Sequence, residues 1–243
     1  VNKEIKMAFK LETVIPWGRS LDEYVRMFDL QPDELKFTLL DCAGGPASFN
    51  AEMTRQGYTV ISCDPIYQFP AKEIKRRIQE VYPTVIDGVT ANRDNYVWQT
   101  IESPEALGQI RLSAMEQFVD DLSMGIEQGR YINAALPILP FTMNQFNLAV
   151  CSHFLFSYSD LLSLEFHLNS IRELCRVADQ VRIFPLVDIS GEISPHLSPV
   201  IREFNNQGYN LEIKQVAYEF QKGGNQMLQV TENVETCHGA SEC

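Results

Sequence analysis

Short apolar runs alternate with stretches of helical spacing along most of the chain. Residues 36–42 read Lys-Phe-Thr-Leu-Leu-Asp-Cys, a run of the kind buried in a parallel sheet. It gives way to Ala43, Gly44, Gly45, Pro46 and Ala47, a turn with almost no side-chain bulk. From Ser48 the spacing turns helical, with Phe49 and Met53 four apart and Gly57 placed to end the helix. A second apolar run, 58–63, closes at Asp64. Strand, tight turn, helix and a second strand ending in an acid form the layout of a nucleotide-type site at the carboxyl edge of a parallel sheet. Further strands are predicted at 131–135, 146–151, 181–187, 211–218 and 226–230. Helices are predicted at 160–177, with Leu161, Leu164, Leu168, Ile171 and Cys175 on one face, and at 199–207, ended by Gly208. Gly223 and Gly224, between the last two strands, suit a hairpin. The pattern predicts an α/β fold: a seven-stranded, mixed but mostly parallel sheet with helices on both faces.

The stretch between Asp64 and Arg130 is too long for one crossover helix. Helical spacing is predicted at 71–81, around 93–101, and at 104–128, where Leu107, Ile110, Ala114, Phe118 and Leu122 fall in register. Ser103 and Pro104 supply an N-cap and first turn for the last of these, and Gly129 its stop. Residues 67–129 therefore read as a helical insertion over the sheet's carboxyl edge, although an insertion that merely extends the scaffold fits as well. Tyr67, Tyr96, Trp98 and Phe118 are its candidate pocket walls, or else core aromatics. Residues 1–35 read as an N-terminal helical cap: Pro16, Trp17, Gly18 and Arg19 lead into Ser20-x-x-Glu23, a capping box before Tyr24, Val25, Met27 and Phe28. No repeat or linker divides residues 1–243, and the polar tail 232–243 is expected to be mobile.

A formal net charge of −12 argues against a nucleic-acid partner, because phosphate tracking relies on clustered Lys and Arg. No apolar run approaches a membrane span, and the first ten residues are charged rather than signal-like, so a cytoplasmic location is expected. Cys42, Cys63 and Cys151 sit inside apolar runs and read as reduced core thiols. Cys237, His238 and Cys243 lack the spacing of a zinc site, and no metal site is expected. Oligomeric state leaves no mark in the sequence.

The small-residue loop suits close approach of a ligand to backbone. A dinucleotide fingerprint would place its glycines at Ala43, Gly45 and Ser48, and only the second is met. Read from Leu40, Leu-Asp-Cys-Ala-Gly-Gly-Pro-Ala resembles the first motif of class I S-adenosylmethionine-dependent methyltransferases, commonly Leu-Asp-x-Gly-x-Gly-x-Gly. Asp41, Gly45 and Pro46 match, while Ala43 and Ala47 stand where that family usually has glycine. Gly57 to Asp64 is similar to its second strand and ribose-binding acid. Leu139-Pro140-Phe141 followed by the run from Phe146 to His153 looks like its fourth-strand motif, with Asn147 where Asp is usual. The likeness spans roughly residues 37–230.

The resemblance implies a Rossmann-like methyltransferase fold with S-adenosylmethionine as cofactor. The backbone of Ala43, Gly44, Gly45 and Ala47 would line the methionine part, with Asp41 ordering the loop or meeting the ammonium group. Asp64 would accept from both ribose hydroxyls, or else cap the next turn; Pro65 and Ile66 would flank the adenine. Leu136 and Cys151 would lie at the same edge, and Arg19 would pair with the cofactor carboxylate, with Trp17 or Tyr24 closing the pocket. The family often has an acidic or amide group after its third strand for the adenine amine; Ala134, Ala135 and Leu136 offer none. His153 is the candidate general base, or a histidine that shapes the pocket. A small organic acceptor is favoured and a protein acceptor stays open. An NAD-linked oxidoreductase and a non-catalytic S-adenosylmethionine-binding module remain as alternatives.

Overall fold

The computed structural model describes residues 15–232. The first 14 residues of the expected N-terminal cap and the tail from 233, with Cys237, His238 and Cys243, lie outside the described residues. The chain runs α1 (Leu21–Phe28), β1 (Leu39–Cys42), α2 (Phe49–Arg55), β2 (Val60–Cys63), α3 (Ala71–Ala91), α4 (Pro104–Glu127), β3 (Tyr131–Ile132), β4 (Phe146–Ser152), α5 (Leu164–Val177), β5 (Ala178–Phe184), α6 (Leu197–Asn206), β6 (Tyr209–Gln215) and β7 (Gln226–Glu232). The seven strands form one sheet in the order β3-β2-β1-β4-β5-β7-β6. The first five strands are parallel, and β7 runs antiparallel to both β5 and β6. This is the expected mixed sheet.

Alternation along the central strands splits the core in two. Leu40, Cys42, Ala149, Cys151, Val181 and Ile183 face α5 and α6, packing on Ile171, Leu174, Val200 and Phe204. Leu39, Val60, Leu148 and Val150 face the other side, against Tyr24, Met27 and Phe28 of α1 and Phe49 and Met53 of α2. Helices therefore cover both faces. Cys42, Cys63, Cys151 and Cys175 are free and buried. No described helix is long and apolar enough to cross a membrane.

Several elements differ in extent from the expectation. Helix α3 runs to Ala91 rather than 81, passing through Pro83. A helix-interior proline forfeits a hydrogen bond, but Pro83 is exposed, and beyond it Val85 and Val89 bury against Leu107 and Ile101. No helix spans 93–101: one 3₁₀ turn, Arg93–Asn95, precedes extended backbone, where the Val97 N–H donates to the Phe220 carbonyl at 2.7 Å. Tyr96 stacks on Phe220 with ring centroids 4.9 Å apart, so tertiary aromatic contact overrides the local helical spacing. Strand β5 stops at Phe184 because Pro185 follows, and β6 ends at Gln215, short of 218. Helix α5 begins only at Leu164, with Ser163 as N-cap accepting from the Phe166 N–H.

Candidate functional site

The site lies at the carboxyl ends of β1, β2 and β4. Cys42 pairs in register with Cys63 on one side and Cys151 on the other, so the chain leaves three adjacent strands at one level. Beyond β1 the loop turns back through two left-handed residues, Ala43 (φ 56°) and Gly45 (φ 55°). Such a φ costs a non-glycine residue about 1–2 kcal/mol. Ala43 bears that strain while its N–H donates to the Cys63 carbonyl at 2.8 Å. Ala47, the other departure from the glycine pattern, has no such φ and is a core residue, 4% exposed.

Two carboxylates hold the loop. Asp64 accepts from the Gly45 N–H at 3.0 Å with one oxygen and from the Ile66 N–H at 2.8 Å with the other. It thus caps the following turn and braces the loop at once. Burial pushes the Asp64 pKa up, against those two backbone donors. Asp41 is fully buried beneath the loop and accepts from the Tyr24 hydroxyl at 3.0 Å and the Ser62 hydroxyl at 2.9 Å. Desolvation raises Asp41 to about 7, more than the hydroxyls from Ser62 and Tyr24 lower it. Between the ordinary carboxylate range and about 7 the native state keeps a proton that the unfolded chain has lost, so this group makes stability fall as pH rises through that window. Asp41→Asn is therefore expected to flatten that part of a melting-temperature profile and to gain up to about 4 kcal/mol relative to the wild type above it. A parallel pair of profiles between pH 4 and pH 8 would contradict the assignment.

Above the loop is a cavity of about 450 Å³. Arg19, Ala43, Gly44 and Gly45 form one wall, Asp64, Pro65 and Ile66 another, and Leu136 and His153 a third. Trp17 and Tyr24 also reach it. Asp41, Ala47 and Cys151 do not: Asp41 acts beneath the loop, and Ala47 and Cys151 point into the two core faces. Because β3 ends at Ile132, the residue directly after it is Asn133, an amide, but Ala134, Ala135 and Leu136 are the ones that border the cavity. Arg77 and Glu80 of α3, both inside the helix expected at 71–81, border it too.

His153 follows β4 with φ 49°, its N–H donating to the Phe184 carbonyl at 2.6 Å and Nδ1 lying 2.9 Å from the Ser152 hydroxyl. Burial, then Arg19 and Arg111, hold its pKa well below the usual imidazole value, so the ring is neutral at pH 7. Arg19 donates to the Trp17 carbonyl at 2.6 Å, while its Nε is buried without a partner.

A second cavity of about 160 Å³ adjoins the first, with Ile15, Trp17, Arg19 and His153 bordering both. Of the four aromatics proposed as acceptor walls, Tyr96 alone lines it. Tyr67 and Phe118 pack in a core cluster with Tyr131, and Trp98 packs on Phe220. The Tyr67 hydroxyl instead donates to the Gly45 carbonyl at 2.9 Å. In the depth of this cavity Arg111 donates to both Glu23 oxygens, at 2.6 and 2.5 Å, and to the Tyr218 hydroxyl at 3.1 Å. The helical register put Ile110 inside, yet Ile110 is 38% exposed and Arg111 is 1% exposed. Arg111 stands four after Leu107 and three before Ala114, on the apolar stripe, and that was the available signal.

No family model matches the chain. An uncharacterized protein of Methanocaldococcus jannaschii, MJ0045, is 32% identical over 221 residues, spanning 90% of this chain and 96% of its own. The chain belongs to the family of that archaeal protein. Similar solved structures include a magnesium protoporphyrin IX methyltransferase from Synechocystis PCC 6803 with bound S-adenosylmethionine, at TM-score 0.45 and 13% identity over 88% of this chain and 78% of that one. Another is a putative S-adenosylmethionine-dependent methyltransferase from Methanococcus maripaludis, at TM-score 0.40 and 11% identity over 88% and 83% of the two chains. The family member described here has the strand order and connections of a doubly wound sheet with a terminal antiparallel pair, read from its own hydrogen bonding.

Proposed function

We propose that the protein is an S-adenosylmethionine-dependent methyltransferase acting on a small organic acceptor. What supports this reading above all is Asp64: one carboxylate at the end of β2 faces the larger cavity while tying the β1 loop to the turn after β2. Each of its oxygens keeps a free lone pair for a ribose hydroxyl. The loop also fits a ligand that approaches backbone, since a Cβ added at Gly45 would meet nothing within 4 Å. Pro65 and Ile66 offer apolar contact to the adenine, and the unpartnered Arg19 Nε a donor for the cofactor carboxylate.

The bound cofactor supplies an activated methyl group, whose transfer to an in-line nucleophile needs positioning and a dry site. Trp17, Arg19 and His153 border both cavities and so stand where cofactor and acceptor would meet. His153, kept neutral, is placed to take the proton that an acceptor hydroxyl gives up.

Calorimetric titration with S-adenosylmethionine tests the reading. Asp64→Ala is expected to weaken binding at least tenfold, and unchanged affinity would remove the ribose role. Binding of NADH, seen as a change in its dihydronicotinamide fluorescence, with no response to S-adenosylmethionine would replace the methyltransferase by an oxidoreductase.

A further inference from the structure

The second cavity is rich in hydrogen-bond donors and poor in acceptors of negative charge. No Asp or Glu is among its lining residues in the described part of the chain, whereas Arg19 and Arg111 both are. Among the described residues Glu23, behind Arg111, is the one carboxylate bonded to either guanidinium. Of the two guanidinium groups, Arg111 alone is paired with a carboxylate among the described residues, in a protein whose net charge is −12. The Arg111 Nε is buried and has no partner among the described residues. Tyr158 adds a donor: its oxygen accepts from the Ile15 N–H at 3.1 Å, and its own proton has no acceptor among the described residues. Apart from Ser157 and Gln221, the remaining walls are mostly apolar or aromatic, among them Val85, Val89, Leu107 and Phe184. The volume of about 160 Å³ is close to the ~150 Å³ that accommodates one benzene ring.

Resting on the methyltransferase reading, which leaves Arg19 to the cofactor, we infer that the acceptor is a carboxylic acid with an apolar body of about one ring, its carboxylate held by the donors of Arg111 and Tyr158. Buried donors without partners favour an anion that satisfies them and disfavour a neutral or cationic isostere. An amide would satisfy fewer of these donors and cancel none of the charge. An ammonium group would add a third cation.

Ligand-observed NMR on the whole protein saturated with S-adenosylhomocysteine tests this with three probes of similar size and different charge: benzoate, benzamide and benzylammonium. Benzoate is expected to bind at least tenfold more tightly than either of the others. Val89→Phe, which fills this cavity and touches none of the larger one, should abolish benzoate binding and leave S-adenosylhomocysteine affinity unchanged. Tyr158→Phe should weaken benzoate several-fold more than benzamide. Equal or tighter binding of benzamide or benzylammonium would overturn the inference, as would undiminished benzoate binding in Val89→Phe. Should the wild type fail to bind S-adenosylhomocysteine, the methyltransferase reading falls, and the same titration on the free protein then decides the charge preference by itself.

Discussion

Glu23→Ala is expected to destabilise the protein by about 3–5 kcal/mol, the usual result of removing one partner of a buried ion pair. At this chain length that corresponds to a fall in melting temperature on the order of 10 °C. Glu23 is 3% and Arg111 1% exposed, and Tyr218 donates to the same carboxylate at 3.0 Å. The three side chains tie α1 to α4 and to the segment before β7. Truncating Glu23 leaves a guanidinium in the interior with a single neutral partner, and it also removes the acid that completes the Ser20 capping box. Burial pushes Glu23 upward, but Arg111 and the Ser20 N–H outweigh it, so its pKa lies below the ordinary carboxylate value. A depressed carboxylate contributes stability above the unfolded-state pKa and loses it as pH falls through the folded one. The wild type should therefore lose this contribution on acidification, and Glu23→Ala should show a shallower acid limb. Replacing both partners, as in Glu23→Leu with Arg111→Met, should recover much of the loss, because the cost lies in the uncompensated charge. Thermal melts of the four proteins measure the coupling, and strictly additive losses would refute it.

Gly44→Ala is expected to reduce S-adenosylmethionine affinity by a hundredfold or more, a larger effect than that of any single contact to the ligand. A Cβ at position 44 would stand 2.2 Å from an Asp41 oxygen and 3.0 Å from the Tyr67 hydroxyl. Asp41 cannot withdraw, being buried and bonded to Tyr24 and Ser62, so the loop itself must shift. A displacement near 1 Å at a binding loop is enough for losses of about this size. Gly45→Ala provides the contrast. Its Cβ meets no atom within 4 Å, and its φ of 55° confers only backbone strain, on the order of 1 kcal/mol. The two neighbouring glycines should separate cleanly in calorimetry, Gly44→Ala failing to bind and Gly45→Ala binding weakly. Equal effects would mean that the loop is not set by Asp41.

The same arrangement explains which parts of the site were readable in advance. Asp64, Pro65 and Ile66 follow a strand whose apolar run and terminal acid are local features, and they border the larger cavity. Ala47 and Cys151 occupy motif positions but not exposed ones: alternation along β4 turns Cys151 into the α5–α6 core, and Ala47 lies in the core shared with α1 and α2. Glu23 read only as a cap because its second partner is 88 residues away in the chain. Helix 93–101 failed for a similar reason: its aromatics answer to Phe220, far along the chain, rather than to their neighbours.

By itself the sequence determined the order and type of most elements, the mixed parallel sheet, the tight loop after β1 and the acid after β2. Each is encoded within a window of a few residues, by hydrophobic period, capping chemistry or the absence of side-chain bulk. Only the tertiary structure decided which groups share a cavity. It buried Arg111 against Glu23, set Arg19 and His153 at the junction of two pockets, and left Asp41 beneath the loop rather than in it. These outcomes depend on side chains brought together from distant elements, where desolvation and charge pairing, not local propensity, select the arrangement.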